Sequence, residues 1–341
     1  MRITITGGGG FLGWHLAERF SDCEVNLFDF NSSLFSNISG NHSCFVGDIR
    51  KISDLEFAIA DSDIVIHAAA ALPLAPKKEI FDTNVLGTRN VLEASRKMNV
   101  KKVIYVSSTA VYGVPDHHPL IESDKMKGVG AYGESKVLAE LECIKARKKG
   151  MVVPVVRPKT FIGPERLGVF EILFDWVYSG TKIPVIGNGA NRYQLLDVAD
   201  LVSAIELLMH SDNESCNDCF NVGASHFSSV NDDLGALFEF SEKGSRIFPT
   251  NAAFAKSALA ILEFLNLSPL YKWVYGTADQ DSWVDTSKLQ KLGWNSRYSN
   301  SDTLIRTYQW YLENRDSFSD AGTGHRVPWK QGALALIKKF L

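Results

Sequence analysis

Tyr132 and Lys136 stand four residues apart in AYGESK, at the start of a helical pattern over about 131–149. Four residues make about one helical turn, so the phenol and the ammonium share a face. A cation beside a phenol favours the phenolate and lowers the tyrosine pKa. A tyrosine tuned towards neutrality can carry a proton to or from a carbinol oxygen. Upstream, the apolar run Val103–Ser107 is followed by Ser108 and Thr109. A hydroxyl at that strand end can steady the same oxygen. Ser108 is the first candidate and Thr109 the second. Proton shuttling at a carbinol is half of an oxidation, and the other half needs a hydride carrier.

The N-terminus, MRITITGGGGFLGWHLAERF, offers a place for one. A short β-branched strand runs into four glycines, Gly7 to Gly10, and then into a helix holding Phe11, Leu12 and Gly13. Strand, glycine turn and helix N-terminus is the arrangement in which backbone N–H groups cradle a pyrophosphate. Gly7 would make the tight turn, Gly10 would let the backbone approach the phosphates, and Gly13 would let the helix pack closely on the sheet. The next strand, 24–30, carries Asp29 near its end, about where the dinucleotide fingerprint expects an acid for the adenine ribose. No Lys or Arg lies between Arg19 and Arg50, so nothing local would hold a 2′-phosphate. This favours NAD over NADP. Lys136 is then also a candidate for the nicotinamide ribose.

The elements that must position these groups alternate. Apolar strands are expected at 43–46, 64–68, 103–107 and 152–157, with helices at about 51–60, 79–98 and 131–149. Apolar strands joined by crossover helices imply a parallel sheet covered on both faces. The fold class is therefore α/β: a Rossmann-type, doubly wound parallel sheet with a smaller, mixed, helix-rich C-terminal substrate domain. The expected division is 1–160 for the dinucleotide domain, completed by segments near 190–222, then 161–325 for the substrate part and 326–341 for an amphipathic tail. Ligands in such sheets lie at the carboxyl ends of the strands.

With 341 residues, a net charge of −3 and a pI near 6.3, the chain gives no reason to expect nucleic acid. No apolar run is long enough to span a bilayer, and the first residues already read as a strand rather than a secretory signal. Five cysteines fit a reducing, cytoplasmic setting. Cys216 and Cys219 form a lone CxxC that reads as a turn and strand start, so no metal is expected. Segment 251–267 is a helix with few charges, and the C-terminal stretch 329–341 is short and apolar with Lys338 and Lys339. Either can pack on the core or on a second subunit, or rest on a membrane surface as a peripheral contact.

Taken in order, TGGGGFLG, Asp29, Gly47-Asp48-Ile49, His67-Ala68-Ala69-Ala70, Asn84-Val85-Leu86-Gly87-Thr88, Val106-Ser107-Ser108, Val111-Tyr112-Gly113 and Tyr132/Lys136 resemble the extended short-chain dehydrogenase/reductase superfamily, in its NAD-dependent epimerase/dehydratase branch. Arg157-Pro158, Gly163-Pro164, Gly187-Asn188-Gly189, Asp197-Val198-Ala199-Asp200 and Leu292-Gly293-Trp294 continue the likeness, which covers about residues 1–315. The resemblance implies tightly held NAD, a C-terminal substrate domain and a homodimer through helices near 85–98 and 131–149. It implies that Asp48 and Ile49 flank the adenine and that Ala68, Ala69 and Ala70 line the cofactor. Asn84, Ser107 and Pro158 complete the expected cofactor set.

The same resemblance narrows the reaction. Sugar dehydratases of this branch place an acidic pair before VYG, and decarboxylating relatives a Glu, where this chain has Thr109 and Ala110. No cysteine follows Ser107-Ser108 as in 3,5-epimerases. What remains is reversible hydride transfer at one carbinol: epimerisation if the ketone stays and turns over, dehydrogenation if it leaves. The expected substrate is a small molecule, a nucleotide- or lipid-linked sugar acted on by a 4-epimerase. Nucleotide-sugar members clamp a diphosphate with an Asn and two arginines. The matching positions here are Thr160, Tyr193 and Tyr275, with Arg166 and Arg192 as replacement clamps. The GNGAN segment and the apolar helix also resemble 3β-hydroxysteroid dehydrogenase-like enzymes, so oxidation of a lipophilic alcohol is the alternative. A non-catalytic NAD sensor is the third reading, and the retained Tyr132 and Lys136 argue against it.

Overall fold

The computed structural model describes residues 1–35, 38, 40, 42–265, 272–318, 325–326 and 334–338. From the N-terminus the chain forms β1 (Arg2–Thr6), α1 (Phe11–Arg19), β2 (Glu24–Asp29), β3 (Ser43–Val46), α2 (Ile52–Ile59), β4 (Ile64–His67) and α3 (Lys77–Phe81). A π-helical turn, Asp82–Gly87, leads into α4 (Thr88–Lys97), β5 (Lys102–Val106), a 3₁₀ turn (Thr109–Tyr112), α5 (Gly130–Lys148) and β6 (Val155–Pro158). Then come β7 (Phe161–Ile162), α6 (Val169–Tyr178), β8 (Ile183–Ile186), β9 (Leu196–Asp197), α7 (Val198–His210), α8 (Asn213–Cys216) and β10 (Cys219–Val222). The chain continues through α9 (Val230–Ser241), β11 (Ile247–Thr250), α10 (Ala252–Phe264), α11 (Lys272–Thr277), α12 (Ser287–Gln290), α13 (Asn300–Asn314) and α14 (Leu334–Lys338).

Two compact units emerge, one of residues 1–159, 198–223 and 284–295, the other of 160–197, 224–283 and 296–341. The first holds a seven-stranded sheet in the order β10-β6-β5-β4-β1-β2-β3. Every pairing in it is parallel. The α/β expectation therefore holds, with the sheet order reversing between β1 and β4. Strands β4 and β5 are buried throughout, as the continuous apolar runs require when helices cover both faces. Helices α2, α4 and α5 pack Leu55, Ile59, Val91, Leu92, Ala139 and Cys143 onto Val65, Val103 and Tyr105.

Two elements differ from the sequence expectation. The helix read over 79–98 is interrupted by the π-helical turn, whose buried Asn84 is drawn into hydrogen bonds with a neighbouring loop and with α5. Wide turns of this kind occur where a side chain must be re-aimed. The strand expected from Val152 begins at Val155. Val152 and Pro154 still accept from the N–H groups of Val103 and Tyr105, so the β5 edge remains satisfied.

The second unit packs α6, α9 and α13 around Phe174, Trp176, Leu237, Leu304, Tyr308 and Tyr311. Two short parallel pairs, β8–β11 and β7–β9, complete it. Of the tail expected over 326–341, Arg326 pairs with Glu165. Leu334 of α14 packs on the aromatic core, and Lys338 pairs with Asp175 at 2.6 Å. The remainder of that tail, and residues 266–267 of the apolar helix, lie outside the described residues. Helix α10 exposes Phe254 and Ile261. Among the described residues, no helix is long and apolar enough to cross a membrane.

Candidate active site

The glycine turn follows β1 directly. Gly7 has a φ of +73°, and a Cβ there would stand 2.7 Å from the Ala69 nitrogen, so only glycine fits. Its N–H donates to the Phe28 carbonyl at 2.8 Å, which ties the turn to β2. Gly10 precedes α1, and no side chain caps that helix. Inside α1, a Cβ on Gly13 would meet the Gly7 carbonyl oxygen at 2.2 Å. Phe11 and Leu12 are buried beneath the turn. The helix thus sits hard against the loop, and its N-cap residue, Gly10, brings no side chain to the helix end.

Asp29 ends β2 and is buried. Its carboxylate accepts from the N–H of Gly9 at 3.0 Å and of Phe30 at 2.8 Å. Burial raises its pKa against the two N–H groups that lower it. A carboxylate has acceptor sites for more than two donors, so it can also hold a ligand hydroxyl. Arg50, the next cation along the chain, is bound by the Asp48 carboxylate at 2.6 Å. Those hydrogen bonds hold Asp48 below the usual carboxylate range. Ile49 is buried. At the end of β4, the Ala68 N–H donates to Thr6, and Ala68, Ala69 and Ala70 are half-buried beside the glycine turn. Asn84 spends both amide donors inside the protein, on the Ala71 carbonyl and on Ser135 Oγ. Ser135 Oγ in turn donates to the Tyr132 carbonyl at 2.7 Å. Asn84 therefore splints the loop after β4 to the start of α5.

Helix α5 buries Gly133, Ser135, Lys136, Ala139, Glu140, Cys143 and Ala146. Two charged residues, Lys136 and Glu140, break the apolar pattern of this buried stripe. Lys136 Nζ donates to the Val106 carbonyl at 3.0 Å and lies 3.4 Å from the Tyr105 hydroxyl. It stands 5.9 Å from the centre of the half-buried Tyr132 ring. Burial brings its pKa down to about 8, against the raising influence of Glu140. His67, between Thr6 and Thr88, is held neutral, its pKa about 3 through burial and the Lys136 charge.

The strand-end hydroxyls have separate tasks. Ser107 Oγ donates to Glu140 at 2.5 Å. Ser108 adopts an extended backbone, and its Oγ accepts from the Ala110 N–H at 3.1 Å, which leaves its own proton to give away. Thr109 is half-buried beside it. Pro158 closes β6 opposite Val222. Sequence reasoning passed over Glu140 and the side chain of Arg157, which form a buried ion pair at 2.6 Å. One signal was available: Tyr132, Lys136 and Glu140 recur at intervals of four.

In the second unit, Thr160 Oγ1 and the Tyr193 hydroxyl meet at 3.1 Å. Burial raises the Tyr193 pKa, so the pair is neutral. Arg192, adjacent in sequence, has other neighbours: its guanidinium lies over the rings of Phe227 and Trp283, 4.7 and 4.9 Å from their centres. Arg166 is buried over Phe170, and Tyr275 of α11 is buried.

A parallel sheet with its order reversal beside a glycine turn, an acid at the end of β2 and a buried lysine one turn from a tyrosine has relatives of known class. The model of the NAD dependent epimerase/dehydratase family matches residues 3–223. The chain belongs to this family. Its cofactor is NAD, and the residues described here fit it: the turn leaves no room for a side chain at Gly7 or Gly13, and Asp29 offers a carboxylate with its neighbouring cation already engaged. Several family members are similar to this chain. An uncharacterized protein, y4nG, of Sinorhizobium fredii is 36% identical over 98% of this chain and 84% of its own length. A putative UDP-glucose 4-epimerase of Methanocaldococcus jannaschii is 26% identical over 92% of this chain and 99% of its own. A decarboxylating sterol-4-alpha-carboxylate 3-dehydrogenase of Mus musculus is 32% identical over 59% of this chain and 57% of its own. Among solved structures, UDP-glucose 4-epimerase of Thermotoga maritima, determined with UDP-glucose, superposes with a TM-score of 0.77 at 23% identity, over 92% of this chain and all of that one.

Proposed function

We propose that this protein is a sugar 4-epimerase that oxidises and re-reduces one carbinol of a nucleotide- or lipid-linked sugar. The observation that carries this reading is the Tyr132–Lys136 pair, with Lys136 buried against the Val106 carbonyl and no carboxylic acid at Thr109 or Ala110 to expel water. Bound NAD supplies a hydride acceptor and donor. Tyr132 takes the proton of the carbinol and returns it to the ketone oxygen. Lys136, still largely protonated at neutral pH, stabilises the phenolate. Ser108 donates a hydrogen bond to the same oxygen and holds it while the carbon changes geometry. Gly7, Gly10, Phe11, Leu12 and Gly13 hold the pyrophosphate, Asp29 a ribose and Asp48 with Ile49 the adenine. The residues of the second unit that this reading gives to substrate binding are Thr160, Tyr193, Tyr275, Arg166 and Arg192. A homodimer through α4 and α5 is part of this reading, supported by the exposed Leu86, Leu138 and Leu141 near and along those helices.

A second reading, oxidation of a lipophilic alcohol, is favoured by the neutral Thr160–Tyr193 pair. A diphosphate prefers bidentate arginine. The two readings separate in a melting experiment on the NAD-loaded protein with uridine, thymidine or guanosine diphosphate. A ligand at about 100 times its Kd stabilises the native state by roughly 2.7 kcal/mol. A clear rise in Tm with one diphosphate is expected for a nucleotide-sugar enzyme. No rise with any of them, together with NADH-dependent reduction of a lipophilic ketone, would overturn the sugar-nucleotide form in favour of the second reading.

A further inference from the structure

Glu140 lies one turn of α5 beyond Lys136, on the same buried stripe. Its carboxylate collects donors from two places. From the residue after β5 comes Ser107 Oγ at 2.5 Å. From β6 comes Arg157, with Nε at 3.0 and 3.2 Å from the two carboxylate oxygens and Nη2 at 2.6 Å. The rest of the guanidinium is satisfied as well. Nη1 donates to the Tyr112 hydroxyl and to the Glu122 carbonyl, each at 2.9 Å, and Nη2 also faces Met126 Sδ at 3.4 Å. The Tyr112 hydroxyl in turn donates to Asn221 Oδ1 of β10 at 2.7 Å. One buried charge pair therefore joins α5, the end of β5, β6, the 3₁₀ turn, the 113–129 loop and β10.

A pair this deep is a poor device for stability alone, because removing two charges from water costs about what their attraction returns. Its placement gives it another use. The groups that face Lys136 are Tyr132, Glu140 and Cys143 on its own helix, Tyr105 on β5 and His67 on β4. Tyr105 and Cys143 are pushed up by burial and stay neutral, and His67 is neutral too. Glu140 is the carboxylate of this set. The groups that face Glu140 are Ser107, Arg157, Lys136, Tyr105, Cys143 and Cys219. Without Glu140 the interior would hold the Arg157 and Lys136 cations with no counter-ion.

We propose that Glu140, paired with Arg157, is a positioning residue for the Tyr132–Lys136 pair: it faces Lys136 as the counter-charge one turn along α5 and, by engaging Ser107, leaves Ser108 as the strand-end hydroxyl that meets the substrate. This rests on the reading of Tyr132 and Lys136 given above, and the test is chosen so that the two can fail separately.

The test follows Lys136 itself rather than turnover. In NAD-loaded protein carrying ¹³C/¹⁵N-labelled lysine, the Lys136 signal, assigned by its loss in Lys136→Met, is titrated by NMR. In Glu140→Gln its midpoint is expected to fall by at least about one pH unit, the size of effect a close opposite charge has. The alkaline limb of the pH–rate profile should move down with it. Glu140→Asp, which keeps the charge, should leave the midpoint close to that of the unsubstituted protein. A lower Tm with an unmoved midpoint in Glu140→Gln would overturn the proposal and leave the pair a purely structural tie. Where Glu140→Gln does not fold, Glu140→Gln/Arg157→Gln removes both charges without orphaning either, and a fall in midpoint, smaller than in the single variant because a cation leaves with the anion, is required of it. A protein that turns over no carbinol defeats the functional reading, while the titration still decides this one.

Discussion

At the residue scale, the site rests on hydroxyls and amines sorted by their partners. Ser107 and Ser108 are neighbours with opposite fates. One is bound to Glu140 in the interior, and the other caps a turn and keeps its proton. Tyr132 is half-buried and Lys136 is buried behind it. Replacing Tyr132 by Phe removes the hydroxyl proposed to carry the proton and little packing. Turnover should fall by about 10²-fold or more, with NAD content and Tm near those of the unsubstituted protein. Unchanged turnover in Tyr132→Phe would place the proton transfer elsewhere. The spacing of Tyr132 and Lys136 was legible in the sequence because a helix repeats every 3.6 residues. The burial of Lys136 against the Val106 carbonyl was not, since it depends on β5 lying under α5.

At the element scale, the glycine turn and α1 act as one piece. Gly13 is in an ordinary helical position, yet a Cβ there would lie 2.2 Å from one backbone oxygen and 2.6 Å from another, and neither can give way as a side chain could. Gly13→Ala should destabilise the protein by roughly 1–3 kcal/mol, the usual scale of overpacking. It should also strip NAD from the purified protein, readable as a lost cofactor absorbance and a lower Tm. Retention of full NAD content would show that α1 can slide on the loop. The sequence announced this turn through its glycines, whereas the π-helical turn at 82–87 went unseen. Asp82–Gly87 reads as ordinary helix until Asn84 is seen bonded to Ala71 and Ser135.

At the scale of the whole molecule, charge buried during folding makes stability depend on pH. Lys159, at the end of β6, is buried, and desolvation brings its pKa from 10.5 to about 7. Below pH 7 both folded and unfolded chains hold that proton, so the full cost of burial opposes folding. Between about 7 and 10.5 the unfolded chain binds more protons, so this residue makes stability rise with pH. In Lys159→Met that contribution disappears: the variant should gain on the unsubstituted protein most at pH 6 and least at pH 10. Parallel curves of Tm against pH would refute the assignment. The sequence by itself determined the parallel sheet, the glycine turn, the NAD preference and the Tyr132–Lys136 pair. Each of these is written in local spacing, and local spacing is converted to geometry by the periods of strand and helix. Only the tertiary structure decided that Arg157 closes on Glu140, that Asn84 bonds Ser135, and that Thr160 meets Tyr193 while Arg192 turns to Phe227 and Trp283. These partners lie on separate elements, and a buried polar group takes whichever partner the packed chain brings within hydrogen-bond reach.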